Sequence, residues 1–240
     1  MKKLSLFSVF VFISFFLFFS ISGCAIFKNS HKTQKSAEEL AGEGVAAFRA
    51  DEFLDAIDAF KKLKDWYPFS KYASLAQLKI ADAHYKLKEY DEALSAYHEF
   101  ETMHPKNDAV PYVIYRMGMC WYKRIDSVDR QQDFTKKALE QFKRLTKTFP
   151  DTPYASKAKR KIKKCIENLA GHELYVANFY FKSKHYKAAL NRFEYIFAHY
   201  PDTYEGRKAM SMISKCQKMI EESGKNKPEK GFHFFNFLYN

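Results

Sequence analysis

A short phrase that recurs four times along the chain constrains the fold more than any other feature. It consists of an alanine, an aromatic residue four positions later and a proline eight positions after the aromatic residue. Residues four apart share one face of a helix, and proline cannot continue a helix, so each copy predicts an amphipathic helix that stops near its proline. The four copies are Ala56, Phe60 and Pro68; Ala93, Tyr97 and Pro105; Ala138, Phe142 and Pro150; and Ala189, Phe193 and Pro201.

Each phrase follows a second helical segment that contains a small residue: Gly44, Ala81, Gly118 or Ala177. A small residue lets two antiparallel helices approach closely, and the aromatic residue of the phrase then fills the seam between them. The pattern predicts an all-α fold, an α-solenoid of tetratricopeptide-type helix pairs with about five repeats, the last one partial. The unit is longer than the usual ~34 residues for this repeat.

The spacing of the four prolines locates two insertions. Successive prolines are 37, 45 and 51 residues apart, so the third and fourth repeats carry 8 and 14 extra residues. The first excess falls between the two helices of repeat three, around residues 124–133. The second is close to four helical turns at ~3.6 residues each, which predicts one long helix from about Tyr154 to Lys182, with Gly171 as a candidate bend.

Helix boundaries can also be predicted from capping residues. Ser70 is expected to cap the first helix of repeat two, and Thr152 with Pro153 is expected to open the long helix. Asp202 with Thr203 is expected to cap a last helix from about Tyr204 to Glu222, which closes the solenoid. The predicted divisions are therefore a solenoid over residues 36–222 and a linker with an aromatic tail over residues 223–240.

The N-terminus has the pattern of an export signal. Lys2 and Lys3 precede an apolar run that ends at residues 21–24, Ile-Ser-Gly-Cys. This resembles a lipoprotein signal with its lipobox, and it predicts a signal peptide over residues 1–23, lipidation of Cys24 and a tether over residues 24–35. An uncleaved membrane-spanning anchor is the alternative, and either would attach the chain to a membrane. Ala25, where an aspartate could stand, resembles the pattern sorted to the outer membrane.

The formal net charge of +12 is of the kind found in proteins that bind nucleic acid. An exported protein does not meet nucleic acid, however, and the basic residues are spread along the helices apart from one cluster. That cluster is interpreted as a solvated helix face, with anionic lipid headgroups or an acidic partner as the alternative. It comprises Lys157, Lys159, Arg160, Lys161, Lys163 and Lys164.

No pattern of catalytic or metal-binding residues stands out. Beyond Cys24, the chain has Cys120, Cys165 and Cys216. All three lie in segments whose apolar residues recur with helical spacing, which predicts that the cysteines are small buried side chains. His172 begins like a zinc-protease helix, but the residue four positions later is Val176, so the metal-binding pair is missing. We therefore expect neither an enzyme nor a cofactor or metal.

Four segments resemble the BamD family, also called ComL or YfiO. They are residues 128–132, 149–155, 172–180 and 200–203. Together with the lipobox and the order of insertions, the resemblance extends to about Glu222. It implies an outer-membrane lipoprotein of the β-barrel assembly machinery. The implied partners are a BamA-like barrel protein met through a POTRA domain, other assembly lipoproteins and unfolded outer-membrane proteins.

The C-terminal tail has no match in this family pattern. Its aromatic and apolar residues are expected to pack back on the last helix, with contact to lipid or to a partner as alternatives. They are Phe232, Phe234, Phe235, Phe237, Leu238 and Tyr239.

Two binding surfaces are predicted. The first helices carry an aromatic residue followed by a base at matching positions, which would suit a chain end bearing an aromatic residue and a carboxylate. Ordinary repeat packing is the alternative. By the resemblance, the first two repeats are the site of this substrate groove. Its residues are Phe48 and Arg49, Tyr85 and Lys86, and Tyr122 and Lys123; Phe181 and Lys182 continue the pattern.

The second surface is centred on Arg192, which should point outward beside the buried Phe193. By the resemblance, Arg192 meets the POTRA domain of BamA; alternatively, it is an ordinary surface arginine paired with Glu194 or Glu205. A competing function is a periplasmic repeat adaptor that coordinates envelope division with Tol-type proteins. Such adaptors resemble this chain in the phrase ending in proline, but they typically carry a coiled coil before the repeats, and no sustained heptads precede Leu40 here.

Overall fold

A computed structural model of the chain describes residues 34–225, and every regular element in that range is an α-helix. The predicted signal peptide, Cys24, most of the tether and the aromatic tail lie outside the described residues. The helices are α1 (Ala37–Arg49), α2 (Phe53–Trp66), α3 (Ala73–Lys86), α4 (Tyr90–Met103), α5 (Val110–Tyr122), α6 (Asp133–Thr148), α7 (Pro153–Lys182), α8 (Tyr186–His199) and α9 (Tyr204–Lys225).

The described helices form four pairs followed by a single last helix, as the phrase predicts. Each helix packs mainly on the helices before and after it in the chain, which is the contact pattern of a solenoid. None of the helices within residues 34–225 combines the length and the apolar character needed to cross a membrane. The all-α solenoid predicted from the sequence is confirmed.

The seams between paired helices are closed by the predicted small and aromatic residues. A Cβ atom added to Gly44 would lie 2.6 Å from Cε1 of Phe60, and one added to Gly118 would lie 2.5 Å from Cε1 of Phe142. Both distances are too short for any side chain to be tolerated without movement. The four aromatic residues of the phrase are all fully buried, namely Phe60, Tyr97, Phe142 and Phe193.

Three of the four pairs share one tight turn between their helices. Asp51, Lys88 and Lys184 stand five residues before the alanine of their phrases and have φ angles of 60°, 65° and 61°. A side chain in this left-handed conformation costs about 1 kcal/mol, which helix pairing must offset. In repeat three, the predicted insertion replaces the turn, and residues 123–132 connect α5 to α6.

The two insertions pack against each other. The side chain of Val128 approaches Gly171, where an added Cβ would lie 3.1 Å from Cγ1 of Val128. Nδ1 of His172 lies 2.6 Å from the carbonyl oxygen of Val128. The long helix predicted from the spacing is confirmed as α7, a continuous element of 30 residues, and Gly171 gives it close contact with the inserted loop.

Helix α7 joins two of the three buried clusters. The first cluster lies among α1, α2 and α3, the second extends from α3 to α7, and the third lies among α7, α8 and α9. Ala158 and Cys165 belong to the second cluster, whereas Leu174 and Ala177 belong to the third. The N-terminal half of α7 therefore completes the core of repeats two and three, and its C-terminal half pairs with α8.

The capping predictions hold at two sites and fail at one. Thr152 Oγ1 accepts a hydrogen bond from the backbone N–H of Ala155 at 3.2 Å, and Thr203 Oγ1 accepts one from Gly206 at 3.0 Å. The prediction for Ser70 is wrong, because its carbonyl oxygen accepts from Ala73 in a turn that delays the start of α3. The hydroxyl of Ser70 is buried without a hydrogen-bond partner among the described residues.

The end of the last helix also differs from the prediction. Helix α9 continues to Lys225, three residues beyond Glu222, so the first part of the predicted polar linker is helical. The side chains facing away from the solenoid on α9 are mostly polar, which suits a terminal cap.

Candidate functional site

The predicted aromatic residues occupy equivalent places at the C-terminal ends of α1, α3 and α5, and each is half-buried. Each ring packs against an aromatic ring of the second helix in its own repeat. The distances between ring centroids are 5.3 Å for Phe48 and Phe53, 5.6 Å for Tyr85 and Tyr90, and 6.2 Å for Tyr122 and Phe142. All three contacts are edge-on, which is a favoured arrangement for aromatic rings.

A cation from the next repeat lies over each of these rings. The distance to the ring centroid is 4.8 Å for Lys79 Nζ over Phe48, 3.6 Å for Arg116 Cζ over Tyr85, and 4.1 Å for Lys161 Nζ over Tyr122. Such cation–π contacts contribute about 0.5–2 kcal/mol each. They were missed in the sequence, although each cation stands 11 residues after the proline that ends the preceding repeat.

The predicted bases Arg49, Lys86 and Lys123 are exposed beside these rings. Lys86 Nζ lies 5.7 Å from the ring centroid of Phe53, in the preceding repeat. The rings are therefore partly covered by cations of the solenoid itself. The surface at these helix ends is a mixed aromatic and cationic strip, which suits a ligand with an apolar body and a negative charge.

A buried carboxylate supports the central cation of this strip. Asp82 on α3 accepts hydrogen bonds at Oδ1 from the hydroxyl of Tyr97 at 2.6 Å and from the hydroxyl of Tyr112 at 2.5 Å. Lys79 Nζ lies 3.2 Å from its Oδ2. Arg116 Nε donates to the Tyr97 hydroxyl oxygen at 3.0 Å. We call these five residues the charged network; it connects α3, α4 and α5.

The two phenols and the guanidinium of the charged network keep their protonation states around neutral pH. Burial, reinforced by the charge of Asp82, raises the pKa of Tyr97 well above its ordinary value and raises that of Tyr112 in the same direction. Burial acts to lower the pKa of Arg116, but its contacts with Tyr97 and Tyr112 and the charge of Asp82 raise it overall. Both phenols therefore remain hydrogen-bond donors, and Arg116 remains a cation over Tyr85.

Arg192 lies on α8 with its side chain 45% exposed, and the neighbouring Phe193 is buried in the seam as predicted. Its Nη1 donates to Oε2 of Glu173 on α7 at 2.7 Å. The pairing with a glutamate expected of a surface arginine is present, but the partner is Glu173 on the adjacent helix rather than Glu194 or Glu205. Tyr195, three residues later on the same helix, is also exposed.

The three cysteines in the described part of the chain are free and buried, as predicted. Burial raises the pKa of Cys120 to about 12 and that of Cys165 to about 11. These thiols are therefore poor nucleophiles. No cluster of three potential ligands suitable for a metal occurs between residues 34 and 225.

The stacked helix pairs and the exposed strip across their first helices define a tetratricopeptide-repeat protein. The chain belongs to the YfiO family, described as an outer membrane lipoprotein, whose model matches residues 33–230. The resemblance to the BamD family inferred from the sequence is thus confirmed.

Several relatives carry the description "Outer membrane protein assembly factor BamD". The one from Neisseria meningitidis serogroup B is 28% identical over 218 residues, covering 85% of this chain and 82% of the relative. The one from Rickettsia prowazekii is 27% identical, with 90% and 87% covered. Among solved structures, the TPR2AB domain of yeast Sti1 aligns with 79% of this chain and 75% of that chain, at 16% identity and a TM-score of 0.44.

Proposed function

We propose that this chain is a non-enzymatic, lipid-anchored scaffold of the outer-membrane protein assembly machinery. The observation that carries the proposal is the family match over residues 33–230, which includes the solenoid and both insertions. Relatives covered over most of their length are named as assembly factors of outer membrane proteins. The scaffold works by holding partners on a rigid helical surface.

The anchor is a lipid on Cys24, which places the solenoid on the periplasmic face of the outer membrane. Support comes from the lipobox at residues 21–24 and from the description of the family as an outer membrane lipoprotein. The first helix begins at Ala37, 13 residues after Cys24, so the solenoid stays close to the membrane.

The aromatic and cationic strip is the surface for unfolded outer-membrane proteins. Its rings can pack against an apolar chain end, and its exposed bases can pair with the terminal carboxylate. The strip comprises Phe48, Arg49, Tyr85, Lys86, Tyr122 and Lys123. Arg116 acts as a positioning residue, because the charged network fixes it over Tyr85.

Arg192 is the contact for a POTRA domain of a BamA-like barrel protein, and other assembly lipoproteins bind elsewhere on the scaffold. The arginine stands on a helix rather than a loop, and its planar group can bind a carboxylate through two parallel hydrogen bonds. Its pair with Glu173 is a partly exposed ion pair, which contributes at most about 1 kcal/mol and can be exchanged for a partner carboxylate.

The proposal is tested by affinity isolation from detergent-solubilised outer membrane. We expect the wild-type chain to recover a BamA-like barrel protein. The variant Arg192→Glu should recover at least about ten-fold less of the barrel protein, because removing one member of a buried interface pair costs ~2–5 kcal/mol. Its helical circular dichroism and melting temperature should stay close to those of the wild type. Recovery of Tol-type or peptidoglycan-bound proteins instead would favour the adaptor function.

Two control variants sharpen this experiment. Lys218→Glu reverses a charge whose side chain is 75% exposed on α9, and it should recover the barrel protein normally. For the strip, Tyr85→Ala with Lys86→Glu should weaken binding of a peptide that ends in an aromatic residue, whereas Tyr85→Phe keeps the ring and should bind normally. Unchanged peptide affinity in the folded double variant would remove the strip from the proposal.

A further inference from the structure

Three large apolar side chains are exposed at one end of repeats one and two. Trp66 is the last residue of α2 and is 47% exposed, Phe69 in the following turn is fully exposed, and Met103 at the end of α4 is 61% exposed. We call these three residues the end patch. Burying them would remove a substantial apolar area from water.

The members of the end patch lie at the same end of two adjacent repeats, because each stands at or just after the C-terminal end of α2 or α4. One turn before their C-terminal ends, Lys64 Nζ of α2 lies 3.8 Å from Oε1 of Glu99 on α4. The sulfur of Met103 accepts a hydrogen bond from Nε2 of Gln77 at 3.3 Å, which fixes Met103 against α3. The three side chains are therefore exposed on the same end of repeats one and two, where a single flat surface can meet them together.

The repeat architecture does not require apolar residues at these places. Two positions before the phrase proline, repeats three and four carry Thr148 and His199 where repeats one and two carry Trp66 and Met103. One position after the proline, repeats two, three and four carry Lys106, Asp151 and Asp202 where repeat one carries Phe69. At these two positions, apolar residues are thus confined to repeats one and two.

The chain also enters the solenoid at this end. Helix α1 runs antiparallel to α2, so its first residue, Ala37, lies at the same end of the pair as Trp66. Cys24 is only 13 residues upstream, and a chain of that length spans at most ~45 Å. The opposite end of the helix pair lies about 20 Å further away, since a helix rises ~1.5 Å per residue.

We propose that the end patch rests on the lipid surface to which the chain is anchored, an inference that depends on the proposed lipidation of Cys24. Tryptophan suits the interface between headgroups and acyl chains, and Phe69 and Met103 suit the apolar side of that boundary. Exposed charges of both signs occur in this part of the sequence, Asp65 and Asp108 with Lys71 and Lys106, so apolar burial rather than net charge carries the attraction.

This contact orients the solenoid. The aromatic and cationic strip lies at the C-terminal ends of α1, α3 and α5, which is the end opposite to the patch. With the patch on the membrane, the strip faces away from the bilayer by roughly one helix length, ~20 Å. A chain end emerging into the periplasm would then meet the strip rather than lipid.

The two tryptophans of the chain allow a direct test. Trp66 lies in the patch, whereas Trp121 lies in the last turn of α5, at the opposite end, and stacks on Phe134 with a centroid distance of 5.9 Å. The lipidated chain is reconstituted on vesicles of phosphatidylethanolamine and phosphatidylglycerol with or without brominated acyl chains. Trp121→Phe leaves Trp66 as the reporter, whose emission we expect bromine to reduce about two-fold. Trp66→Phe leaves Trp121, whose emission should not change.

Charge substitutions provide the matched control. Phe69→Glu with Met103→Glu should abolish the quenching of Trp66. Phe69→Glu alone should weaken the quenching without altering the melting temperature, because the Phe69 ring is fully exposed. Leu54→Glu changes an equally exposed residue, 68%, at the opposite end of α2, and should leave the quenching intact. A chain that floats with the vesicles but leaves Trp66 unquenched overturns the membrane contact alone. A wild-type chain that does not float overturns the lipid anchor and, with it, this inference.

Discussion

Two buried polar networks hold the solenoid together in different ways. The charged network of Asp82 joins α3, α4 and α5, in the part of the solenoid that precedes both insertions. A neutral network lies where the two insertions meet: Gln132 Oε1 accepts from Thr135 Oγ1 at 2.8 Å and from Asn168 Nδ2 at 2.7 Å. Gln132 Nε2 also donates to the carbonyl oxygens of Ser127 and Arg130.

One network contains charges and the other does not, and this difference corresponds to the group that each network holds in place. In the charged network, a cation must be held over the exposed strip, so Arg116 needs a counter-charge inside the solenoid. In the neutral network, a loop of ten residues must be held on a helix, and amide groups satisfy its backbone without any charge. Removing one member should therefore cost more in the charged network, because a buried ion is left without its partner.

The largest effect is expected for Asp82→Ala. Without the carboxylate, Arg116 and Lys79 lose a counter-charge and two phenol hydroxyls lose their acceptor, so the free energy of unfolding should fall by about 3–5 kcal/mol. Urea unfolding followed by circular dichroism measures this. Asp58→Ala is the control, because its ion pair with Lys62 is on the surface of α2 and should be dispensable. Equal losses in the two variants would contradict the importance of burial.

An intermediate effect is expected for Asn168→Ala in the neutral network. One donor is lost and Gln132 keeps its bond to Thr135, so the free energy of unfolding should fall by about 1–2 kcal/mol. Amide hydrogen exchange should accelerate in the loop of residues 123–132 while α8 stays protected. Asn191→Ala, at an exposed position on α8, serves as the control. A loss as large as that of Asp82→Ala would refute the ranking.

The smallest effect is a difference in alkaline stability. The pKa values of Tyr97 and Tyr112 are raised in the folded state by burial and by Asp82, whereas the unfolded value is ~10. Stability from these phenols is therefore complete below pH ~10 and is lost as the pH rises toward the folded values. The buried thiols act in the same direction.

Asp82→Asn isolates the contribution of the charge, because the amide oxygen still accepts hydrogen bonds. Between pH ~9.5 and ~11, its free energy of unfolding should fall slightly less than that of the wild type, because burial, the larger cause, still raises both phenol pKa values. Asn168→Ala should follow the wild-type slope. Parallel curves for all three proteins would exclude the carboxylate as a cause of the raised pKa values.

The helix pairs of the regular repeats could be predicted from a few residues at fixed spacing. Gly44 and Gly118 leave room for Phe60 and Phe142, so sequence spacing was enough to pair the helices. The count of inserted residues also predicted α7, since a helix of unchanged phase needs a whole number of turns. Ser70 was mispredicted because a turn and a cap use the same type of residue. The substrate strip and the POTRA contact remain predictions.

The sequence by itself determined which segments are helices, where they pair and where they stop, because these properties depend on residues within one or two turns of each other. Only the tertiary structure decided that Arg116 covers Tyr85, that Arg192 pairs with Glu173 and that Val128 meets Gly171. Each of these contacts joins residues from 19 to 43 positions apart in the chain. Their partners are chosen by how successive helices stack, and local periodicity carries no information about that choice.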